Sequence, residues 1–187
     1  MESPLDFVRD IESVLADEGV WHFEQSYMPS MLRTHSYDTI CHEHLEFYSF
    51  KVVKEMLERC GLRVVDVQMN AVNGGSFAVT ACKHAASHQS NEPIIRWLLQ
   101  QESDMGLDTP APYRIFEEKV FRHRTNLSNL VSAIIGDGKK ILGYGASTKG
   151  NVLLQFCGLT AKQIPFIADV NEQKYGCFTP GTHIPII

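Results

Sequence analysis

Several features that mark binding and membrane proteins are missing from this 187-residue chain. Acidic residues outnumber basic ones by 22 to 17, and a net charge of −5 argues against the basic face of a general nucleic-acid binder. No apolar run approaches the roughly 18 residues of a membrane-spanning helix, and the N-terminus lacks the basic and apolar regions of a signal peptide. We therefore expect a soluble, cytoplasmic protein with no nucleic-acid or membrane partner.

The cysteine pattern offers neither a disulfide framework nor a zinc motif. The five cysteines are an odd number, are scattered and form no Cys-x-x-Cys pair: Cys41, Cys60, Cys82, Cys157 and Cys177. Reduced thiols in a cytoplasmic enzyme fit this pattern better than disulfides do. Most of them are expected to act as small buried apolar residues. Cys41 is the exception to this expectation, because it directly precedes His42 and Glu43.

The most informative feature is His42-Glu43-His44, which lies within the run from residue 37 to 48. Imidazole is the one side chain whose unperturbed pKa lies close to neutral pH, and an adjacent carboxylate raises its basicity. Such a cluster supplies what general acid–base catalysis needs. The flanking apolar side chains predict that it lies against a core: Ile40, Leu45, Phe47 and Tyr48.

Three interpretations of this cluster compete. Metal binding is the least favoured, because no third ligand is evident nearby and Glu46 stands where a His-Glu-x-x-His motif has its second histidine. A structural cluster would need a hydrogen-bond partner for every buried polar group. An acid–base site, with Glu43 or His44 as the base, is the interpretation we prefer.

Apolar periodicity predicts alternating helices and strands in the first half of the chain. Helices are predicted over residues 4–15 and, after Ser49 as N-cap, over 49–60. Strand patterns cover 19–27, 62–67 and 76–82. Residues 28–48 show no clean period and are expected to form a long ordered loop, which in compact domains is commonly functional.

The second half begins with a polar boundary at residues 84–93. Helices are predicted at 94–101 and 115–135, followed by a strand and glycine turn over 139–145, a helix at 151–156 and a strand at 164–170. This last order is the start of a βαβ unit. The fold class is therefore predicted to be α/β.

The glycine turn itself is a candidate phosphate site. It consists of Gly143, Tyr144, Gly145, Ala146, Ser147, Thr148, Lys149, Gly150 and Asn151. Backbone N–H groups at a helix N-terminus bind phosphate through hydrogen bonds and the helix dipole, and a lysine adds a charge suited to a diphosphate. An ordinary tight turn without a ligand is the alternative, which we find less favoured.

The turn departs from two better-known nucleotide motifs. Its third glycine comes one position too late for Gly-x-Gly-x-x-Gly, and Lys149 precedes Gly150 rather than following it as in a Walker A loop. Asp169 ends the following strand, where a dinucleotide-binding fold places its ribose-binding acid. An NAD(P)-dependent oxidoreductase is thus one rival function, and a non-catalytic nucleotide-binding remnant is another.

A second glycine pair, in Asn73-Gly74-Gly75-Ser76, is a weaker signal. A hairpin or bulge accounts for the glycines by itself. The functional alternative is a close approach of the backbone to a ligand, with Asn73 contributing to binding.

Four motifs in this order resemble the C-methyltransferases of nucleotide-linked keto-deoxysugars. They are the run from Tyr37 to Leu45, Asn73–Ser76, Gly143–Asn151 and Thr179-Pro-Gly-Thr-His-Ile-Pro185. The resemblance covers essentially the whole chain. It implies a Rossmann-type S-adenosylmethionine domain followed by a second Rossmann-like domain, with residues 1–83 as the last part of the first and 84–187 as the start of the second.

The resemblance also implies a mechanism. A base removes the acidic proton beside the sugar ketone, and the enolate attacks the methyl group of S-adenosylmethionine. Carried over, His44 is the base with Glu43 as partner or alternate and His42 beside them, and no metal is needed. The partner is a nucleotide-diphosphate keto-sugar, held by Asn73 and the glycine turn.

Two departures from the family pattern bear on these assignments. Cys41, counted among the substrate-binding positions, stands where family members commonly have tyrosine. The zinc-module cysteines and the glycine-rich cofactor loop have no counterpart here, so we expect an internal fragment that is inactive alone.

Overall fold

The computed structural model describes residues 3–187, which divide into two compact units. The first unit comprises the described residues up to Thr34 together with Glu46–Arg114, and the second comprises His35–Leu45 and Ile115–Ile187. No helix within residues 3–187 combines the length and the apolar character that crossing a membrane requires.

The first unit contains a three-stranded sheet and the helices around it. Its strands are β1 (Val20–Ser26), β2 (Leu62–Asn70) and β3 (Ser76–Lys83). Its helices are α1 (Pro4–Val14), α2 (Met28–Thr34), α3 (Phe50–Arg59) and α4 (Glu92–Asp104). A short 3-10 helix, Val72–Gly74, connects β2 to β3.

The strand order is β1-β3-β2, and both pairings are antiparallel. β3 is the central strand, and its two longest apolar side chains, Phe77 and Val79, are fully buried. They pack with α3 side chains such as Phe50 and Leu57. The apolar stripe of α3 was predicted from its sequence, and Ser49 is its N-cap: the hydroxyl accepts the N–H of Val52 at 3.3 Å.

The second unit has a smaller, parallel sheet. After most of the long helix α5 (Ala111–Gly136), it contains β4 (Gly143–Tyr144), α6 (Thr148–Cys157) and β5 (Ile167–Ala168). β4 and β5 pair in parallel. The chain end extends this edge, because the N–H of Ile187 donates to the carbonyl of Ile167 and the N–H of Asp169 donates to the carbonyl of Ile187.

The core of the second unit is formed around the β4–α6–β5 segment. Its buried members are Val131, Cys157, Leu159, Ile164, Ile167 and Ile184. The Thr179–Pro185 motif contributes to it, since Thr179 is buried and its hydroxyl accepts the N–H of Ile184 at 2.8 Å. Gln155 of α6 donates from Nε2 to the carbonyl of Pro180 at 3.0 Å, which ties that motif to the helix.

Three predicted elements differ from the structure. Part of the expected loop at 28–48 is helical, because α2 and the 3-10 helix Tyr37–Thr39 form within it; Pro29 fits a first helical turn, where no backbone donor is needed. The strand predicted over 139–145 is only two residues long, as its partner β5 is equally short. The helix predicted from residue 151 begins at Thr148.

The predicted α/β class is confirmed, with helices and strands in both units. The proposed domain limits at residues 83 and 84 stay a prediction.

Candidate functional site

The glycine turn joins β4 to α6 in the second unit. Gly145 has φ +86°, a left-handed conformation that side chains with a Cβ rarely adopt. A Cβ at Gly143 would lie 2.5 Å from Cγ1 of Ile167, so this glycine permits the close packing of β4 on β5. Both glycines thus have structural reasons, and they place the next residues at the start of a helix.

Ser147 is the N-cap of α6. Its hydroxyl accepts the N–H of Gly150 at 3.0 Å, which satisfies one of the unpaired donors of the first helical turn. Ser147 was counted in the candidate phosphate site, and the observed role of its hydroxyl is capping. Thr148 and Lys149 occupy the first turn. The helix N-terminus is therefore formed, with the backbone geometry that favours anions.

Two residues of this turn, Tyr144 and Asn151, have side-chain groups that a ligand could contact. The Tyr144 ring is 81% exposed. Oδ1 of Asn151 is buried, and among the described residues it has no hydrogen-bond donor. Because a buried carbonyl oxygen without a donor is unfavourable, a ligand hydroxyl or amide would satisfy Asn151 and stabilise the site.

Asp169, which the sequence suggested as a ribose-binding acid, instead accepts hydrogen bonds from the protein itself. Its Oδ2 accepts the N–H of Ala146 at 2.7 Å and an N–H of Lys174 Nζ at 3.0 Å, while Oδ1 accepts the N–H of Asn171 at 2.8 Å. These hydrogen bonds lower the pKa of Asp169 to about 2, those from the Asn171 N–H and Lys174 first. Both oxygens are therefore bound within the protein, which removes the main support for a dinucleotide site.

The loop that carries the His-Glu-His cluster is anchored in the second unit by Tyr37. Its side chain is buried, and its hydroxyl lies 2.9 Å from Nδ1 of His123 in α5. The ring packs against Phe156 of α6 at 5.1 Å between centroids. The hydroxyl is also 3.8 Å from Sγ of the buried Cys157. Burial, followed by this contact with Cys157, raises the pKa of Tyr37 above its usual value.

His42, Glu43 and His44 follow on an exposed turn, in which the N–H of His44 donates to the carbonyl of Cys41 at 3.1 Å. The prediction that the cluster lies against a core is wrong. Leu45 is 74% exposed and Ile40 is 48% exposed, because the chain buries Tyr37 instead. Cys41 is partly buried. An exposed acid–base group can be reached by a substrate directly.

We call residues 37–45 the acid–base loop, after the role predicted for its His-Glu-His cluster. This loop and α6, the helix that follows the glycine turn, belong to the same unit. The 3-10 helix Tyr37–Thr39 contacts α6, whose N-terminus carries the glycine turn. The side-chain contacts of Tyr37 are with Phe156 and Cys157, at the end of α6 opposite the glycine turn, so the two motifs lie on elements of one unit that contact each other.

Asn73 belongs to the first unit, in the 3-10 helix between β2 and β3, and its side chain lies outside the described part of the structure. Gly75 has φ +128°, and a Cβ there would lie 2.6 Å from Cβ of Ser30. A close approach of backbone to α2 therefore accounts for this glycine. The ligand role of Asn73 stays a prediction.

Sequence reasoning missed Glu102, a carboxylate in the first unit that is only 2% exposed. Its two oxygens accept the N–H groups of Phe50 at 2.6 Å and Lys51 at 2.8 Å, at the N-terminus of α3. Burial first, and then Glu102, raises the pKa of Tyr27. Only its position four residues from Leu98 on an amphipathic helix could have indicated burial.

A cavity of about 620 Å³ lies beside Glu102 in the first unit. Four charged residues of its lining are paired, Lys51 with Asp108 at 2.9 Å and Lys54 with Glu58 at 2.5 Å. Within residues 3–187, no three His, Cys, Asp or Glu side chains converge to hold a metal ion.

Comparison with known proteins gives two matches. The family model of the C-methyltransferase C-terminal domain matches residues 71–187. The chain is also 36% identical over 181 residues to the C-methyltransferase NovU of Streptomyces niveus. This alignment covers 97% of the chain but 43% of NovU, so the chain spans less than half the length of that relative.

Proposed function

Because this chain belongs to the C-methyltransferase family, we propose that it is the part of such an enzyme that binds a nucleotide-diphosphate keto-deoxysugar and removes a proton from it. The observation that carries the proposal is the contact of α6 with the 3-10 helix Tyr37–Thr39, the part of the acid–base loop that precedes the His-Glu-His turn. The same unit holds a base and a helix N-terminus suited to a diphosphate.

The glycine turn would hold the diphosphate. The N–H groups of the first turn of α6 and the ammonium of Lys149 would meet the phosphate oxygens, since both favour negative charge. The exposed ring of Tyr144 offers a face on which a nucleotide base would stack. A hydroxyl of the ligand would donate to Oδ1 of Asn151, which has no donor within the described residues.

His44 would be the base. The carbon beside a ketone is acidic because its carbanion is stabilised as an enolate, so an imidazole is basic enough to remove the proton without a metal ion. Glu43 would stabilise the imidazolium that forms. His42 and Cys41 complete this turn. S-adenosylmethionine would supply the electrophilic methyl group in C-methyl transfer.

Two other functions fit less well. A nicotinamide-dependent oxidoreductase would need Asp169 for the ribose, and that carboxylate accepts three hydrogen bonds from the protein. A non-catalytic nucleotide-binding protein would bind the nucleotide-sugar but would not speed the exchange of the proton beside its ketone.

Methyl transfer in a full-length relative tests the proposal. In NovU, we expect alanine at the position aligned with His44 to abolish C-methylation of the sugar, and nucleotide-sugar binding to change little. Alanine at the position aligned with His84, an exposed histidine outside the cluster, is the matched control. Full turnover after loss of the His44 counterpart would contradict the assignment. We also expect calorimetry to show no tight binding of S-adenosylmethionine by residues 1–187.

A further inference from the structure

Both backbone polar groups of Ala146, in the middle of the glycine turn, are hydrogen-bonded to one ion pair. Its N–H donates to Oδ2 of Asp169 at 2.7 Å, and its carbonyl accepts from Nζ of Lys174 at 2.9 Å. Lys174 also donates to the same oxygen of Asp169 at 3.0 Å. The two side chains and the backbone of Ala146 thus form a closed ring of hydrogen bonds that spans the two peptide units flanking this residue.

The local sequence after β5 builds this ring. Asp169 directly follows the strand, and its Oδ1 accepts the N–H of Asn171 at 2.8 Å. Asn171 in turn caps the 3-10 helix Glu172–Lys174, which brings Lys174 back to the carboxylate. The Asp169 side chain is 7% exposed and that of Lys174 is 38% exposed. The carboxylate end of the pair is thus shielded from water, while the ammonium end stays partly exposed.

We propose that Asp169 and Lys174 are positioning residues, which fix the glycine turn in the conformation that presents the first N–H groups of α6 to a diphosphate. This inference rests on the proposed diphosphate site. Gly145, the residue before Ala146, is free to adopt many backbone conformations, so an unheld turn would lose entropy on binding a ligand. Fixing the conformation beforehand removes that loss and strengthens binding.

The assignment differs from a direct ligand role for either side chain. If Lys174 contacted the phosphate, its removal would weaken binding without loosening the turn. If Asp169 held a ribose, it would give up the N–H of Ala146. A positioning role requires both effects together: a looser turn in the free protein and weaker binding of the ligand.

Amide hydrogen exchange and calorimetry on the same variants separate these roles. Lys174→Met and Asp169→Asn are compared with Lys174→Arg, which keeps the charge, and with Lys162→Met, an exposed lysine of the same unit. Thymidine diphosphate and uridine diphosphate are the probes. The exchange of the Ala146 N–H is measured without ligand, with Ile167 of β5 as an internal reference for intact folding.

We expect Lys174→Met and Asp169→Asn to speed exchange at Ala146 by about tenfold and to raise the dissociation constant of the diphosphate by a similar factor, since each loses a charge-assisted hydrogen bond. Exchange at Ile167 should not change. Lys174→Arg should recover part of both effects, and Lys162→Met should resemble the wild-type protein.

Weaker binding without faster exchange would overturn the positioning role and make Lys174 a direct ligand. Faster exchange with undiminished binding would overturn it as well. If the wild-type chain bound neither diphosphate, the proposed diphosphate site would fail, and this inference with it. Wild-type binding that survives Lys174→Met would contradict the inference alone.

Discussion

The hydroxyl of Tyr37 lies 2.9 Å from Nδ1 of His123, which links the start of the acid–base loop to α5. The Tyr37 ring also packs on Phe156 of α6. One buried side chain therefore fixes the position from which the exposed turn of His42 to His44 extends, so the stability of the unit and the placement of the base depend on it.

We predict that Tyr37→Phe lowers the free energy of unfolding by about 1 kcal/mol, because it removes the hydrogen bond and keeps the ring. Tyr37→Ala should lower it by about 3–5 kcal/mol, since a cavity forms as well. Urea denaturation measures both. The exposed Tyr175, changed to Phe, is the control. In a His123→Ala background, Tyr37→Phe should have little further effect; an unchanged effect there would contradict the pairing.

Glu102 gives a prediction for the first unit. Glu102→Ala should lower the free energy of unfolding by about 2 kcal/mol or more, because the N–H groups of Phe50 and Lys51 lose their acceptor. Thermal or urea denaturation checks this. The exposed Glu55, changed to Ala, should have a small effect. Equal effects of the two substitutions would show that Glu102 does not cap α3.

The lowered pKa of Asp169 predicts a specific dependence on acid. An aspartate in an unfolded chain has a pKa of about 3.9, whereas that of Asp169 in the folded protein is about 2. Its contribution to stability is thus complete above about pH 5 and is lost progressively as the pH falls toward the folded pKa. The difference in melting temperature between the wild-type protein and Asp169→Asn should shrink over this interval. A difference that stays constant from pH 5 to pH 2 would contradict the ion pair with Lys174.

Tyr144 provides a test of the nucleotide end of the site. Stacking of a base on an aromatic ring is worth about 1 kcal/mol or more, so Tyr144→Ala should weaken binding of thymidine diphosphate roughly fivefold or more. Tyr144→Phe should bind as the wild-type protein does. Because the ring is 81% exposed, melting temperatures should be unchanged. Calorimetry that finds Tyr144→Ala and wild-type binding equal would remove the ring from the site.

Much of the fold followed from local sequence patterns. The stripe of Val53 and Leu57 and the cap at Ser49 predicted α3, and alternation in residues 76–82 predicted β3, because these signals lie within the elements themselves. The limits of elements that pair with distant segments of the chain were harder to predict. The two-residue β4 ends where its pairing with β5 ends, and no local pattern encodes that limit.

The candidate site was predicted in part for the same reason. The glycine turn and the His-Glu-His turn are contiguous motifs, so residue types alone revealed them. The neighbours that hold them, His123 for Tyr37 and Lys174 for Ala146, come from other segments. The roles of Ser147 as a cap and of Asp169 as a partner of Ala146 also required backbone geometry.

Proton exchange on the sugar is the most direct test of the central claim, that His44 removes a proton beside a ketone. The chain is mixed in D₂O with a nucleotide-diphosphate keto-deoxysugar, and loss of the proton next to the ketone is followed by NMR. Proton exchange needs the base and the substrate but no methyl donor, so it can be followed in a chain that is expected to be inactive in methyl transfer alone. We predict that the wild-type chain exchanges this proton faster than buffer does, that the control His84→Ala retains the effect, and that His44→Ala reduces exchange to the rate in buffer. Exchange by His44→Ala at the wild-type rate would contradict the claim.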